Sequence, residues 1–271
     1  EHFTNPSDLP CIAAANHVAG SPAIVLRGAS GTQARPADLA TNKIFLQSNQ
    51  AGGIVFQGVD YAANVKGAGR HTRICRYTPG AGACADTADE PPCRCPTTGV
   101  NAGKGSVALV DAPIFAYHAN IYYIRPCSRP AGTTCTAADD NGQPIPTLVR
   151  RQLSENTDPA TFVEVPIAEG VERMAVSYGI DANRDSVTET FTDKNTIFSP
   201  ASPNLSDDAL TVRISLLMRT RKPENNYDDS VNTYTLADGS TFNCVTNVAS
   251  CKHHRYILTD TVQVKNNAFR R

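Results

Sequence analysis

Tryptophan is absent from the 271-residue sequence, and methionine occurs only twice. With 18 glycines, 18 prolines and many Thr, Val, Asn and Ser residues, this composition weighs against long helices and favours strands joined by turns. No apolar run approaches the roughly 20 residues that a membrane-spanning helix needs. The chain opens at Glu1 with neither an initiator Met nor a signal peptide, and we expect that an upstream segment has been removed. An excess of either charge is also lacking: the formal net charge is -1, and Lys and Arg are scattered. That leaves no electrostatic footprint for nucleic acid or an anionic membrane surface, so no nucleic-acid partner is expected. At 29.0 kDa the chain is long enough to bury a full core.

Cysteine is plentiful. Nine residues, at 11, 75, 84, 93, 95, 127, 135, 244 and 251, are too many for an ordinary reduced chain without metal-knuckle spacing. Cys127 and Cys135 bracket the polar segment SRPAGTT, and Cys244 and Cys251 bracket VTNVAS; each spacing suits a local disulfide and an oxidising compartment. Closing such a loop stabilises a fold by about 2 kcal/mol, mainly by restricting the unfolded chain. Cys75, Cys84, Cys93 and Cys95 fall within residues 59–105, a stretch rich in Gly, Ala, Pro and Thr with little apolar periodicity. It reads as a disulfide-tied surface insertion within a single head spanning 1–271. One cysteine is left over, and Cys11 is the natural one to be free or to pair with an upstream partner.

Strand-like runs appear at 23–28, 43–48, 53–58, 106–110 and 120–125, separated by Gly, Pro and Asn clusters, which is the signature of a meander. The clearest alternation is LTVRISLLMRT: Leu210, Val212, Ile214, Leu216 and Met218 share one face, and Thr211, Arg213, Ser215 and Arg219 the other. A half-buried antiparallel strand follows. In the closing RYILTDTVQVK, Tyr256, Leu258, Val262 and Val264 fall on one side, and Asp260 interrupts them, which predicts a bulge or an edge position. Short helical turns are expected at RPADLAT and IAEGVERM. The fold class is therefore mainly β, of α+β type, with antiparallel sheets and disulfide-stapled loops.

Catalytic patterns fail one by one. GASGT at 28–32 has the wrong spacing for a nucleophile elbow. GVNAGKGS at 99–106 has a phosphate-loop look, but its first Gly is one residue too close and Gly105 stands where a magnesium-binding hydroxyl is needed. CKHH at 251–254 lacks a second cluster at zinc spacing, and CRC at 93–95 lacks the two-residue spacer of a redox pair. Glu169 and Glu172 would share one face of a helical turn, where solvation explains them as well as acid–base work does. No enzyme is expected, and a secreted β-sandwich hydrolase is kept only as a minor alternative.

Four segments in fixed order, NKIFLQSNQAGGIVFQG, ANIYYIRPCS, PIAEGVERMAVSYGIDANRDSVTETF and ALTVRISLLMRT, precede the closing HHRYILTDTVQVKNN. Together they resemble the globular part of the PilW-type minor pilins of bacterial type IV pili, over about residues 23–267. The resemblance implies a non-enzymatic pilus subunit whose β-rich head is carried on an N-terminal inner-membrane helix that this sequence lacks. It implies partnership with other minor pilins and a tip-associated adhesin in a complex that primes assembly, with a role in adhesion and twitching motility. It also implies a periplasm-facing location before assembly and the extracellular pilus tip afterwards. A J-type pseudopilin of type II secretion and a surface adhesin domain are the alternatives.

The segment DANRDSVTE poses a separate question. Asp181, Asn183 and Asp185 occupy the first alternate ligand positions of a calcium loop, and Glu189 offers a further carboxylate. Ser186 stands where the EF-hand pattern requires Gly, and Thr192 where it requires Glu. Asp and Asn also favour plain turns, by bonding the local backbone. The turn is the preferred reading, with Ca²⁺ at Asp181, Asn183, Asp185 and Glu189 as the competing one.

Overall fold

The structure, a computed structural model, describes residues 2–3, 9, 11–39, 41–49, 52–61, 73–83, 104–154, 161–199, 201, 205–247 and 249–264. In chain order the first strands are β1 (His2–Phe3), β2 (Ala23–Gln33), β3 (Ile44–Asn49), β4 (Gly52–Gln57), β5 (Arg73–Ala83) and β6 (Lys104–Asp111). Then come β7 (Ile114–Arg125), β8 (Thr147–Leu153), β9 (Phe162–Glu169), β10 (Val171–Ile180) and β11 (Thr190–Thr192). The last are β12 (Ala209–Arg219), β13 (Tyr234–Thr235), β14 (Thr241–Phe242) and β15 (Arg255–Gln263). Every pairing whose register is resolved is antiparallel. The fold is thus the β-rich, antiparallel one that the composition predicts.

The chain groups into two compact units, one of residues 1–25, 121–151 and 164–271, the other of 26–120 and 152–163. In the first, β10, β11, β12 and β15 form a four-stranded sheet in the order β11-β10-β12-β15. Its register is continuous across the middle: Met174, Leu216 and Leu258 line up, as do Ala175, Ser215 and Thr259. Because side chains alternate between faces, Met174, Val176, Ile214, Leu216 and Met218 share one side. Ile214, Leu216 and Met218 pack there on the buried trio Ile124, Val171 and Met174, with Val18, Ile24, Leu148 and Ala168.

The other side differs from the half-buried strand expected from sequence. Ser215 and Leu217 are fully buried, because Leu236, Phe242, Cys244 and Ala249 from the following loops pack over Ala175 and Leu217. The Ser215 hydroxyl is satisfied there by accepting the Ala237 N–H at 2.8 Å. Farther along the same side, the Arg213 guanidinium stacks 3.4 Å from the centre of the Phe191 ring. At Gly179 an added Cβ would lie 2.1 Å from the Thr211 hydroxyl, so the close pairing of the Thr188 and Thr211 hydroxyls requires glycine.

The helical turn expected at IAEGVERM is instead a strand–turn–strand, β9 to β10, hinged at Gly170. There φ is +82°, and a Cβ would meet the Arg219 carbonyl oxygen. Glycine allows the reversal, and its N–H and C=O bond Pro146 and Arg219. The other expected turn, RPADLAT, is a 3-10 turn over Pro36–Leu39.

In the second unit β3 pairs with β4 on one edge and with β7 through Phe45↔Ala116 on the other. Leu39, Phe45, Phe56 and Ile114 form its core, and Phe56 lies between Phe45 and Tyr61 at 6.0 and 5.5 Å. Within 59–105, which reads as patternless, residues 73–83 form β5 and pair with β6. The pairing of Cys75, Cys84, Cys93 and Cys95 lies outside the described residues.

Candidate functional site

Asp181 directly follows the last residue of β10, Ile180, and is wholly buried. Its Oδ1 accepts the Asp185 N–H at 3.1 Å and its Oδ2 the Ser186 N–H at 2.9 Å. The Asn183 Oδ1 accepts the same Asp185 N–H at 3.0 Å, the Asp185 Oδ1 accepts the Val187 N–H at 2.9 Å, and the Glu189 Oε2 accepts the Ala182 N–H at 3.0 Å. All four residues singled out from the sequence therefore come together in one loop, each bonding its backbone. Arg184 turns away to Asp208 at 3.1 Å.

The carboxylates of Asp181, Asp185 and Glu189 have oxygens within 4.8 Å of one another, the spacing at which a hard cation could be held. Two non-glycine residues in the loop, Arg184 at φ +63° and Ser186 at φ +72°, are left-handed. Ser186 thus adopts the conformation for which the sixth position of a calcium loop uses Gly. A non-glycine residue held there costs about 1–2 kcal/mol, partly offset by the greater freedom of glycine in the unfolded chain. Replacing Ser186 by Gly is therefore expected to raise stability by about 0.5–1 kcal/mol, read as the midpoint of a urea titration.

A second cluster, not foreseen from sequence, lies under the 229–254 loops. The Arg255 side chain is fully buried. Its Nε donates to Glu172 Oε2 at 2.6 Å, its Nη2 to Glu172 Oε1 at 3.1 Å, and its Nη1 to Asp229 Oδ2 at 2.9 Å. Arg219 approaches Glu172 from another direction at 3.2 Å and also donates to the Pro144 carbonyl. The other oxygen of Asp229 accepts from the Tyr227 and Tyr234 hydroxyls and the Asn232 amide. Burial alone would raise the Asp229 pKa, but the bonds from Asn232, Arg255, Tyr234 and Tyr227 outweigh it and hold the carboxyl below its ordinary range. Two cations and two carboxylates compensate one another, and their hydrogen bonds are directed at the fold rather than into a cleft. The only local sequence signal was Asp229 followed by Asn232 and Tyr234, which resembles any polar turn.

Glu169 and Glu172, paired in sequence as neighbours on a helix, lie instead on different strands. Glu169 binds Arg221 at 2.9 Å and the Ser128 hydroxyl, while Glu172 enters the buried cluster. The disulfides Cys127–Cys135 and Cys244–Cys251 are present, and Cys11 is free. Cys127, Cys135 and Asp139 lie close together, but with both sulfurs in the disulfide they offer no thiolate to a metal. Of the two histidines in CKHH, only His254 is exposed. His253 is buried with its Nδ1 2.8 Å from the Thr220 carbonyl oxygen.

Burial also lowers the pKa of His17 and His253 below the ordinary 6.5; interaction with the Ser21 backbone opposes it at His17, and at His253 the Arg219 charge adds to it. In the unfolded chain both rings titrate near 6.5, so below that pH the unfolded state binds more protons than the folded one. Their neutral-state stability is complete above about pH 7 and is lost as pH falls through about 6.5 toward the depressed folded values. The melting midpoint is expected to be level above pH 7 and to decline on acidification below about 6.5, with a shallower decline in His17→Phe.

An antiparallel β-protein tied by local disulfides and an internal charge cluster is the class these features define. Residues 121–266 match the family model described as Type IV Pilus-assembly protein W, and the chain belongs to that family. Family membership places it in type IV pilus assembly, alongside other pilus components. No curated protein and no solved structure matches the chain.

Proposed function

We propose that this chain is a minor pilin whose β head joins other minor pilins and a tip-associated adhesin in the complex that primes pilus assembly and sits at the filament tip. The observation that carries the reading is the family match, which covers β10, β12 and β15 and the loops packed over them. The chemistry of that region supports a non-catalytic role: its buried charges are paired internally, and its loops are cross-linked and bonded to their own backbone. A region built this way meets its partners with little ordering cost on association. The location that follows is periplasm-facing at the inner membrane before assembly and extracellular afterwards, and both disulfides suit an oxidising compartment. The test is co-purification of this head with the heads of the other minor pilins encoded beside it. A stable complex is expected; recovery of each head alone would overturn the reading.

For the acidic loop we propose the turn role, because each of Asp181, Asn183, Asp185 and Glu189 already caps a backbone N–H of the loop. Millimolar calcium is then expected to leave the melting midpoint where EDTA leaves it. Ligand binding to the folded state alone would instead raise stability by about 2.7 kcal/mol at a hundredfold excess over Kd. A saturable rise of that kind, abolished in Asp181→Asn, would make the loop a calcium site.

A further inference from the structure

β15 is the outermost strand of its sheet, and no strand lies beyond it among the described residues. The sheet's opposite end is closed by β11, only three residues long, which is one way in which proteins protect an edge. β15 is not shortened in this way. It runs for nine residues, contains no Pro, Gly or Lys, and pairs with β12 at every position without a bulge. Of the two outcomes that Asp260 suggested in the sequence, the structure shows the edge and not the bulge.

The register identifies the backbone groups that face outward. The Val264 N–H bonds the Leu210 carbonyl oxygen at 2.8 Å, extending the β12–β15 ladder by one pair. Inward- and outward-pointing residues alternate in an antiparallel pair. Even-numbered residues of β15 therefore bond β12, while Ile257, Thr259, Thr261 and Gln263 direct their N–H and C=O away from it. On one face of the strand stand Tyr256, Leu258 and Val262, exposed at 52%, 52% and 50%. Asp260 stands among them, its carboxylate accepting the Thr261 N–H at 2.8 Å and making no ion pair among the described residues.

That carboxylate selects the occupant. A second copy pairing antiparallel over the full strand, centred on Thr259, would set each Asp260 against Leu258 and place the two carboxylates as diagonal neighbours roughly 7–8 Å apart on one face. Centring on Asp260 would set them directly opposite one another. Both arrangements are unfavourable, so the acid discourages self-pairing, whereas a strand presenting Lys or Arg at that point is attracted.

We propose that β15 is a docking edge that accepts an extended strand from another minor pilin. That strand carries apolar side chains beside Tyr256, Leu258 and Val262 and a Lys or Arg facing Asp260. The proposal rests on the assembly reading above. Backbone bonds would supply affinity, and the alternating side chains would supply specificity.

The experiment is the same co-purification with two variants. Thr259→Pro removes one outward N–H and keeps the β12 ladder, which uses Leu258 and Asp260; Asp260→Lys reverses the charge. Each is expected to reduce recovered complex by about tenfold or more, with the head's own melting midpoint close to wild type and Thr259→Val retaining the complex. Full complex formation by both variants would overturn the docking edge and leave the assembly reading standing. A wild-type head that self-associates through this strand, with the association lost in Thr259→Pro, would also overturn it. A wild-type head that captures none of the others would overturn the assembly reading and the docking edge with it.

Discussion

Replacing Arg255 by Met lowers the stability of the head by about 3–5 kcal/mol, the range found when one partner of a buried ion pair is removed. The cause is what remains. Glu172 and Asp229 lose the cation that bonds both, and neither reaches bulk water: the Glu172 side chain is 7% exposed and that of Asp229 is 0% exposed. Arg219 still touches Glu172, so Asp229 is the more severely stranded, left with two tyrosine hydroxyls and one amide. For a unit of this size the loss corresponds to a fall in melting midpoint of roughly 6–20 °C. A double variant that also replaces Asp229 by Asn and keeps Glu172 paired with Arg219 recovers much of it, because no charge of the cluster is then left without a partner. Thermal melts of the three proteins at pH 7 give the comparison; an Arg255→Met head that melts with wild type would show that water reaches the cluster.

Leu217→Ala costs about 2–5 kcal/mol, whereas Leu258→Ala, the same chemical change on the neighbouring strand, costs about 0.5 kcal/mol or less. Leu217 is fully buried, packed beneath Leu236, Phe242 and the Cys244–Cys251 loop, and its truncation leaves a cavity. Leu258 is 52% exposed, so solvent fills the space its side chain vacates. Urea unfolding of the two variants checks the contrast. Equal losses would mean that the face bearing Leu258 is covered in the isolated head.

Leu217 also shows where reading the sequence succeeds and where it stops. The alternation in LTVRISLLMRT located β12, and its apolar face is the one that meets Met174 and Ile124. Alternation says nothing, however, of a loop that arrives later in the chain, so Ser215 reads as part of the wet face although it is buried together with Leu217. Gly170 was misread for a related reason: IAEGVERM has helical spacing, and only the strands on either side impose the reversal. The acidic loop was legible because its residues are local. The Glu172–Arg255–Asp229 cluster was not, since its members stand 83 and 26 residues apart and no short pattern joins them. The two described disulfides were readable from spacing alone, as their partners lie 8 and 7 residues apart.

Those separations bear on the order in which the head is made. The staples join near neighbours and can close while most of the chain is still unfolded, because short loops form quickly. The four-stranded sheet depends on β15 finding β12 and on Arg255 reaching Glu172, which is far upstream. Until that strand docks, Asp229 cannot be buried with its counter-ion, so closing the loops over the sheet is disfavoured before β15 is in place. Folding of this unit is thus governed by a late, long-range step, slow in the way of non-local β proteins, and its kinetics depend on the last strand far more than on either disulfide.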